Sequence, residues 1–181
     1  MKKNNIRYIL FTILFILVSS CSKYDTVIDA YVVKKIDLKK YEGTWYEIAR
    51  IPIRQEKKLQ NVTATYILEN DELTVVNSGY TKEKKRKTVY GKAWIPDKGK
   101  PGILKVQFFW PFKGYYKILY VDEAYEKALV CGNNLDHIWI LCKKPFLNNS
   151  DLDNIITMAK NLGADITKLE MVDQLWHLKK K

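Results

Sequence analysis

The sequence reads as all-β: eight antiparallel strands in chain order closing an up-and-down barrel, then one C-terminal α-helix and a short ninth strand. Three observations carry this reading. Short runs rich in β-branched, aromatic and aliphatic residues recur roughly every ten residues from Trp45 onward. Turn-forming clusters separate them, namely Asn70-Asp71, Gly99-Lys100-Pro101-Gly102, Lys113-Gly114 and Gly132-Asn133-Asn134. After Pro145 the apolar period lengthens to that of a helix.

The expected strands cover 45–51, 62–68, 73–80, 88–95, 103–109, 115–121, 127–131 and 138–143. Even spacing with brief turns favours pairing between sequence neighbours, and eight such strands can close without a free edge. Leu152, Ile155, Ile156, Ala159 and Leu162 share one face of a helix over about 149–162, with Asp151 as its cap and Gly163 as its stop. Leu169, Met171 and Val172 supply the ninth strand. With 181 residues, 47% hydrophobic and 13% aromatic, the chain can bury a sizeable core, which excludes overall disorder. No internal repeat or second domain is visible.

Ahead of the barrel, Lys2, Lys3 and Arg7 precede an apolar run at 8–18 broken only by Thr12. A membrane-spanning helix needs about 20 such residues, so 1–20 reads as an export signal. It ends in Val18-Ser19-Ser20-Cys21, which resembles the bacterial lipoprotein box and makes Cys21 the lipid-bearing N-terminus. By analogy with Gram-negative sorting, Ser22 directs the product to the outer membrane. Residues 21–36 then form a tether, 37–176 the barrel and its helix, and 177–181 a basic tail. The net charge of +11 suits nucleic acid, an anionic membrane or acidic ligands. Export and inward-alternating aromatics disfavour nucleic acid. Cys131 and Cys142 lie too far apart along a hairpin for a disulfide, so two buried free thiols are expected.

Gly43-Thr44-Trp45-Tyr46-Glu47-Ile48-Ala49-Arg50, Asp122-Glu123-Ala124-Tyr125 and Ile138-Trp139-Ile140-Leu141-Cys142-Lys143-Lys144-Pro145 resemble the three signature regions of the lipocalins. The stretch 37–175 is similar to the bacterial outer-membrane lipoprotein members, a match strengthened by Val62-Thr63-Ala64-Thr65-Tyr66 and by 104–109 with Pro111-Phe112. Up-and-down topology independently gathers the three regions at one end. The resemblance implies that Gly43, Trp45, Asp122, Tyr125 and Lys143 are structural. Trp45 plugs a closed base and Lys143, where arginine is usual, lies across its indole.

Period-two alternation assigns the interior. Solvent-facing Lys105 and Gln107 turn Leu104, Val106 and Phe108 inward; a solvent-facing Lys117 turns Tyr116, Ile118 and Tyr120 inward; and Lys143 at the base places Leu141 and Trp139 inside. The resemblance adds Ala64, Tyr66, Val75, Asn77 and Ala93. Small Ala64, Val75 and Ala93 favour room for one apolar ligand over a packed aromatic core.

These readings converge on a non-enzymatic, membrane-anchored carrier of lipids such as fatty acids or lysophospholipids, without metal or cofactor. Two alternatives stand beside it: a structural or assembly lipoprotein with a filled barrel, and an enzyme of lipocalin type using His137, His177 or Cys131. Loops opposite the base carry Arg54, Lys57, Lys58, Lys82, Lys84, Lys85, Arg86, Lys87 and Lys113, a basic mouth suited to anionic head groups. Monomer or homodimer is left open.

Overall fold

A computed structural model describes residues 26–175. The strands are β1 (Gly43–Arg50), β2 (Gln60–Glu69), β3 (Glu72–Tyr80), β4 (Arg86–Trp94), β5 (Ile103–Phe109), β6 (Phe112–Val121), β7 (Lys127–Cys131), β8 (Ile138–Cys142) and β9 (Glu170–Met171). Helices are α1 (Leu38–Tyr41) and α2 (Asn149–Asn161). β4 begins before the expected 88 because backbone pairing continues through Gly79↔Lys87 and Tyr80↔Arg86, where charged side chains hide the strand pattern.

Each strand from β2 to β8 pairs antiparallel with the next, and β1 closes the barrel. Its first half pairs with β2 from Gly43↔Tyr66 to Tyr46↔Thr63, and its second half pairs with β8 from Tyr46↔Cys142 to Arg50↔Trp139. A register shift between Glu47 and Ala49 marks the change of partner. β9 takes the edge of β1 that β2 has left, at Ala49↔Met171 and Arg50↔Glu170.

Two cores follow from the alternation. Inside lie Trp45, Tyr66, Leu73, Val75, Ala93, Leu104, Ile118, Ala128, Val130 and Leu141, together with Tyr41 of α1. Outside, Ile155 and Ala159 of α2 pack with Ile48, Leu129, Cys131, Ile138, Ile140 and Cys142. The strands β7 and β8 are thereby buried on both faces, which is why they read as nearly continuous apolar runs. Cys131 sits opposite Ile138, four residues from Cys142 along β8, and both cysteines are free and buried. The cap of α2 is Asn148, whose side chain accepts from the Asp151 backbone N–H, whereas the Asp151 carboxylate receives Lys127 Nζ at 3.0 Å.

The expected tether 21–36 is in large part folded; its first residues, with Cys21, lie outside the described ones. Val27–Tyr31 forms a 3-10 turn, and Ile28 and Val32 join the outer core. The Val33 N–H donates to the Ile118 carbonyl at 2.9 Å. Gly102 permits this approach, since a Cβ there would stand 2.5 Å from the Val33 carbonyl oxygen. Lys117 does point out of the barrel but does not reach solvent: it is fully buried beneath this segment, with Nζ 2.9 Å from Asp29 Oδ1 and donating to the Asn133 carbonyl at 3.0 Å.

A buried cation stripped of its partner costs several kcal/mol, whereas an apolar replacement of both partners is often neutral. Asp29→Ala should therefore lower unfolding stability by about 3–5 kcal/mol, with denaturant titration recovering most of that in Asp29→Ala/Lys117→Met. Equal losses in the single and double variants would show that the pair does not hold the segment down.

Candidate functional site

The floor of the barrel is built around Trp45, which is fully buried. Its indole Nε1 donates to the Tyr41 carbonyl at 2.7 Å, and its ring stacks on Tyr41 with centroids 4.7 Å apart. Lys143 Nζ lies 4.6 Å from the indole centroid and donates to the Tyr41 and Glu42 carbonyls. Gly43 leaves space for that ammonium: its φ is +99°, and a Cβ would stand 3.2 Å from Lys143 Nζ. Asp122 closes the β6–β7 turn by accepting from the Glu126 and Lys127 N–H groups, and the Tyr125 hydroxyl accepts from Asp37 N–H at 2.8 Å. The three signature segments thus meet at one end.

Above the floor is a cavity of about 690 Å³, open at the opposite end. Ala64, Tyr66, Val75, Asn77, Ala93, Leu104, Val106, Phe108, Tyr116 and Trp139 all line it. A solidly packed barrel would leave no such space. Two residues expected on its wall are absent from it. Ile118 points inward but is buried in the inner core. Tyr120 packs against the outer core, because β6 shifts register against β7 between Ile118 and Tyr120 and the alternation inverts there.

The deepest polar feature is a tyrosine triad, in which the Tyr116 hydroxyl lies 2.7 Å from that of Tyr41 and receives that of Tyr66 at 3.0 Å. Burial raises all three hydroxyls above their ordinary acidity range, so they stay neutral. At the mouth end of β1, Arg50 Nη1 donates to Glu47 Oε1 at 2.6 Å and Nη2 to the Glu56 and Leu59 carbonyls, while Trp139 Nε1 donates to Glu56 Oε2 at 3.0 Å. Desolvation and the facing Glu56 push Glu47 up to about 8. Burial also raises Glu56. Glu47, Glu56 and His137 line the cavity without having been expected there. Glu47 shares the strand parity of Trp45, a signal that could have found it; Glu56 sits in a loop that no periodicity reports.

Asn77 Oδ1 and His137 Nδ1 are buried and find no hydrogen-bond partner among the described residues. Of the basic residues assigned to the mouth, Arg54 and Lys113 line the opening, and the lysines of the β3–β4 hairpin lie outside it. Among the described residues no group of three or more metal-binding side chains comes together.

Residues 36–174 match a family model described as a lipocalin-like domain. Over 160 residues the chain is 39% identical to the outer membrane lipoprotein Blc of Escherichia coli strain K12 and 38% identical to that of Citrobacter freundii, covering 87% of this chain and 90% of each relative. The solved structure of insecticyanin from the tobacco hornworm Manduca sexta shares the fold, with a TM-score of 0.67 at 24% identity over 79% of this chain and 83% of that one.

Because Glu47 binds its proton more tightly folded, near 8, than at its ordinary value of 4.5, this group favours the folded state fully below about 4.5. That contribution is lost as pH rises from there toward 8. Glu47→Gln should flatten the decline in melting temperature over that window. An unchanged slope would place the Glu47 carboxyl in the ionised state throughout.

Proposed function

The chain belongs to the lipocalin family, and on that premise we propose that it is a lipid-anchored binding protein of the bacterial envelope that carries a fatty acid, lysophospholipid or similar amphiphile in its barrel. The observation that carries this reading is the cavity. Its size falls in the roughly 300–1,000 Å³ range of small-molecule sites, and apolar walls around a few placed polar groups suit an acyl chain. The chain lies along Val75, Ala93, Leu104, Val106, Phe108 and Trp139, with the head toward the mouth. There Asn77 and His137 offer unspent hydrogen-bonding atoms, and Arg54 and Lys113 attract a carboxylate or phosphate. Glu47, whose proton is held more tightly than an ordinary carboxyl's and whose carboxyl is engaged by Arg50, opposes an anionic head less than an exposed carboxylate would.

Attachment through Cys21 rests on the Val18-Ser19-Ser20-Cys21 box. The outer membrane as its site is supported by relatives that carry that membrane in their names. The reading contains no catalytic step. Cys131 is buried in the outer core, on the far side of the sheet from the cavity.

The direct test is lipid extraction and mass analysis of protein purified from its own membranes. A co-purifying single-chain or double-chain amphiphile is expected, and a lipid-free protein that also fails to bind a fluorescent fatty acid would overturn the reading. Trp139→Ala should weaken probe binding with modest loss of stability, whereas Trp45→Ala should cost about 3–5 kcal/mol of folding free energy. A fatty acid should displace the probe better than its uncharged alcohol at low salt. The difference should fade as the screening length shrinks from ~10 Å at 0.1 M to ~3 Å at 1 M salt, and should narrow in Arg54→Gln/Lys113→Gln. Cys21→Ala, tested by high-salt washing of membranes, should release the protein or leave it unprocessed; retention equal to wild type would remove Cys21 as the anchor.

A further inference from the structure

The hairpin joining β5 to β6 carries Phe109, Trp110, Pro111 and Phe112 at its tip, and the three aromatic side chains are 67%, 86% and 75% exposed. Neither core nor cavity explains them. Phe109 and Phe112 edge the opening, but most of their surface faces solvent. Tyr90 on the neighbouring strand is 68% exposed beside Gly91, whose backbone abuts Phe108. Concentrated aromatic exposure of this kind is costly in water and suits a membrane interface, where such rings settle at the head-group level.

The charge around this tip has one dominant sign. Lys82, Lys85 and Lys87 on the β3–β4 hairpin, Lys57 and Lys58 between β1 and β2, and Lys113 beside Phe112 are exposed at the same end of the barrel. An apolar tip within a basic collar complements anionic phosphate heads above an acyl layer. A second copy docking symmetrically through this end would set collar against collar, a like-charge contact.

The N-terminal segment packs along the outside of β6. At Asp37 the chain touches Tyr125, at the base. Going backward it bonds Ile118 through Val33 and then reaches Lys117 through Asp29, one residue further along β6 toward Phe112, while Asp29 also stands 3.7 Å from Lys100 of the β4–β5 turn. Five residues separate Cys21 from Thr26, a reach of at most about 18 Å. Lys117 lies five residues along β6 from Phe112, about 17 Å.

From these observations we infer that the open end of the barrel is a bilayer-docking surface, with the Phe109–Phe112 hairpin inserted among lipid head groups and the basic loops lying on their phosphates. This goes beyond the binding reading, resting on it only for the lipid on Cys21. The mouth then opens directly onto the membrane, and an amphiphile enters along Phe109 and Phe112 without crossing water.

The test uses the lipidated protein in vesicles of phosphatidylcholine alone or mixed equally with phosphatidylglycerol, each with brominated acyl chains. Bromine quenches indoles that contact lipid, and the difference between wild type and Trp110→Phe isolates Trp110 from any effect on Trp139. We expect the Trp110 emission to be at least halved, more so with phosphatidylglycerol, and Lys82/Lys85/Lys87→Ser to weaken the dependence on vesicle charge. All these residues are exposed, so the variants should fold. Equal quenching in wild type and Trp110→Phe would overturn the inference. So would burial of Trp110 in a protein dimer, seen by sedimentation without vesicles, that persists unquenched on the membrane. Fatty-acid displacement on the same samples separates the two readings: displacement without Trp110 quenching removes the docking surface alone, and quenching without displacement removes the cavity ligand alone.

Discussion

The placement of one indole governs the rest of the barrel. Trp45 fills the base only because Tyr41 and Lys143 close over it, and both come from outside β1. Its N–H would be an unsatisfied buried donor without the Tyr41 carbonyl at 2.7 Å. That carbonyl is in place because α1 begins at Asp37, whose side chain accepts from the Lys39 and Lys40 N–H groups. The ammonium of Lys143 lacks the planar fork of arginine, yet it suits this site. It covers the ring face at 4.6 Å and donates to two carbonyls at the end of α1, where a point charge with several donors does as well as a fork. Burial lowers the proton affinity of Lys143, with Glu42 acting the other way.

The cavity inherits its floor from the same arrangement. Tyr41, fixed by stacking on Trp45, holds its hydroxyl 2.7 Å from that of Tyr116, which also receives Tyr66. Three polar groups thereby satisfy one another at depth, and the walls above them are free to be apolar. Small side chains at Ala64, Val75 and Ala93 leave the volume that larger residues at those positions would fill. A closed base and an open interior are therefore one design, since the floor residues that stop solvent also end the inner core.

Much of this was legible because a barrel strand has a period of two and the sequence keeps it. Leu104, Val106 and Phe108, or Trp139 and Leu141, needed only one charged neighbour to set their facing. The exceptions have physical causes. At Tyr120 an irregularity in pairing inverts the alternation, and no residue type announces it. At Lys117 parity correctly gave the outer face, but what covers that face is the segment 27–33, whose Ile28 and Val32 are too few and too spaced to declare a buried element. Asn148 displaced Asp151 as the helix cap because Lys127 on β7 claims the aspartate, a tertiary contact that local sequence does not encode. Glu56 reaches the cavity from a loop, where periodicity has nothing to say.

Glu47 and Lys117 expose what a small barrel can and cannot neutralise. Both are ionisable, both stand on strand positions, and both are buried, but on opposite faces of the sheet. Lys117 meets a carboxylate and a carbonyl under a segment that serves as its lid, so its charge is matched where it lies. Glu47 meets one guanidinium that is also bonded to two backbone carbonyls, and it faces a second carboxyl across the cavity wall. One cation against two buried acids leaves a deficit, and taking up a proton is the cheapest way to remove it, since an unpaired buried carboxylate costs far more than a shifted titration. The outer face of this barrel can therefore hold a permanent ion pair as structure. On the inner face, beside a space meant for an apolar guest, the Glu47 charge is held down by protonation, the buried Arg50 is occupied by Glu47 and two backbone carbonyls, and Arg54 and Lys113 stand at the rim.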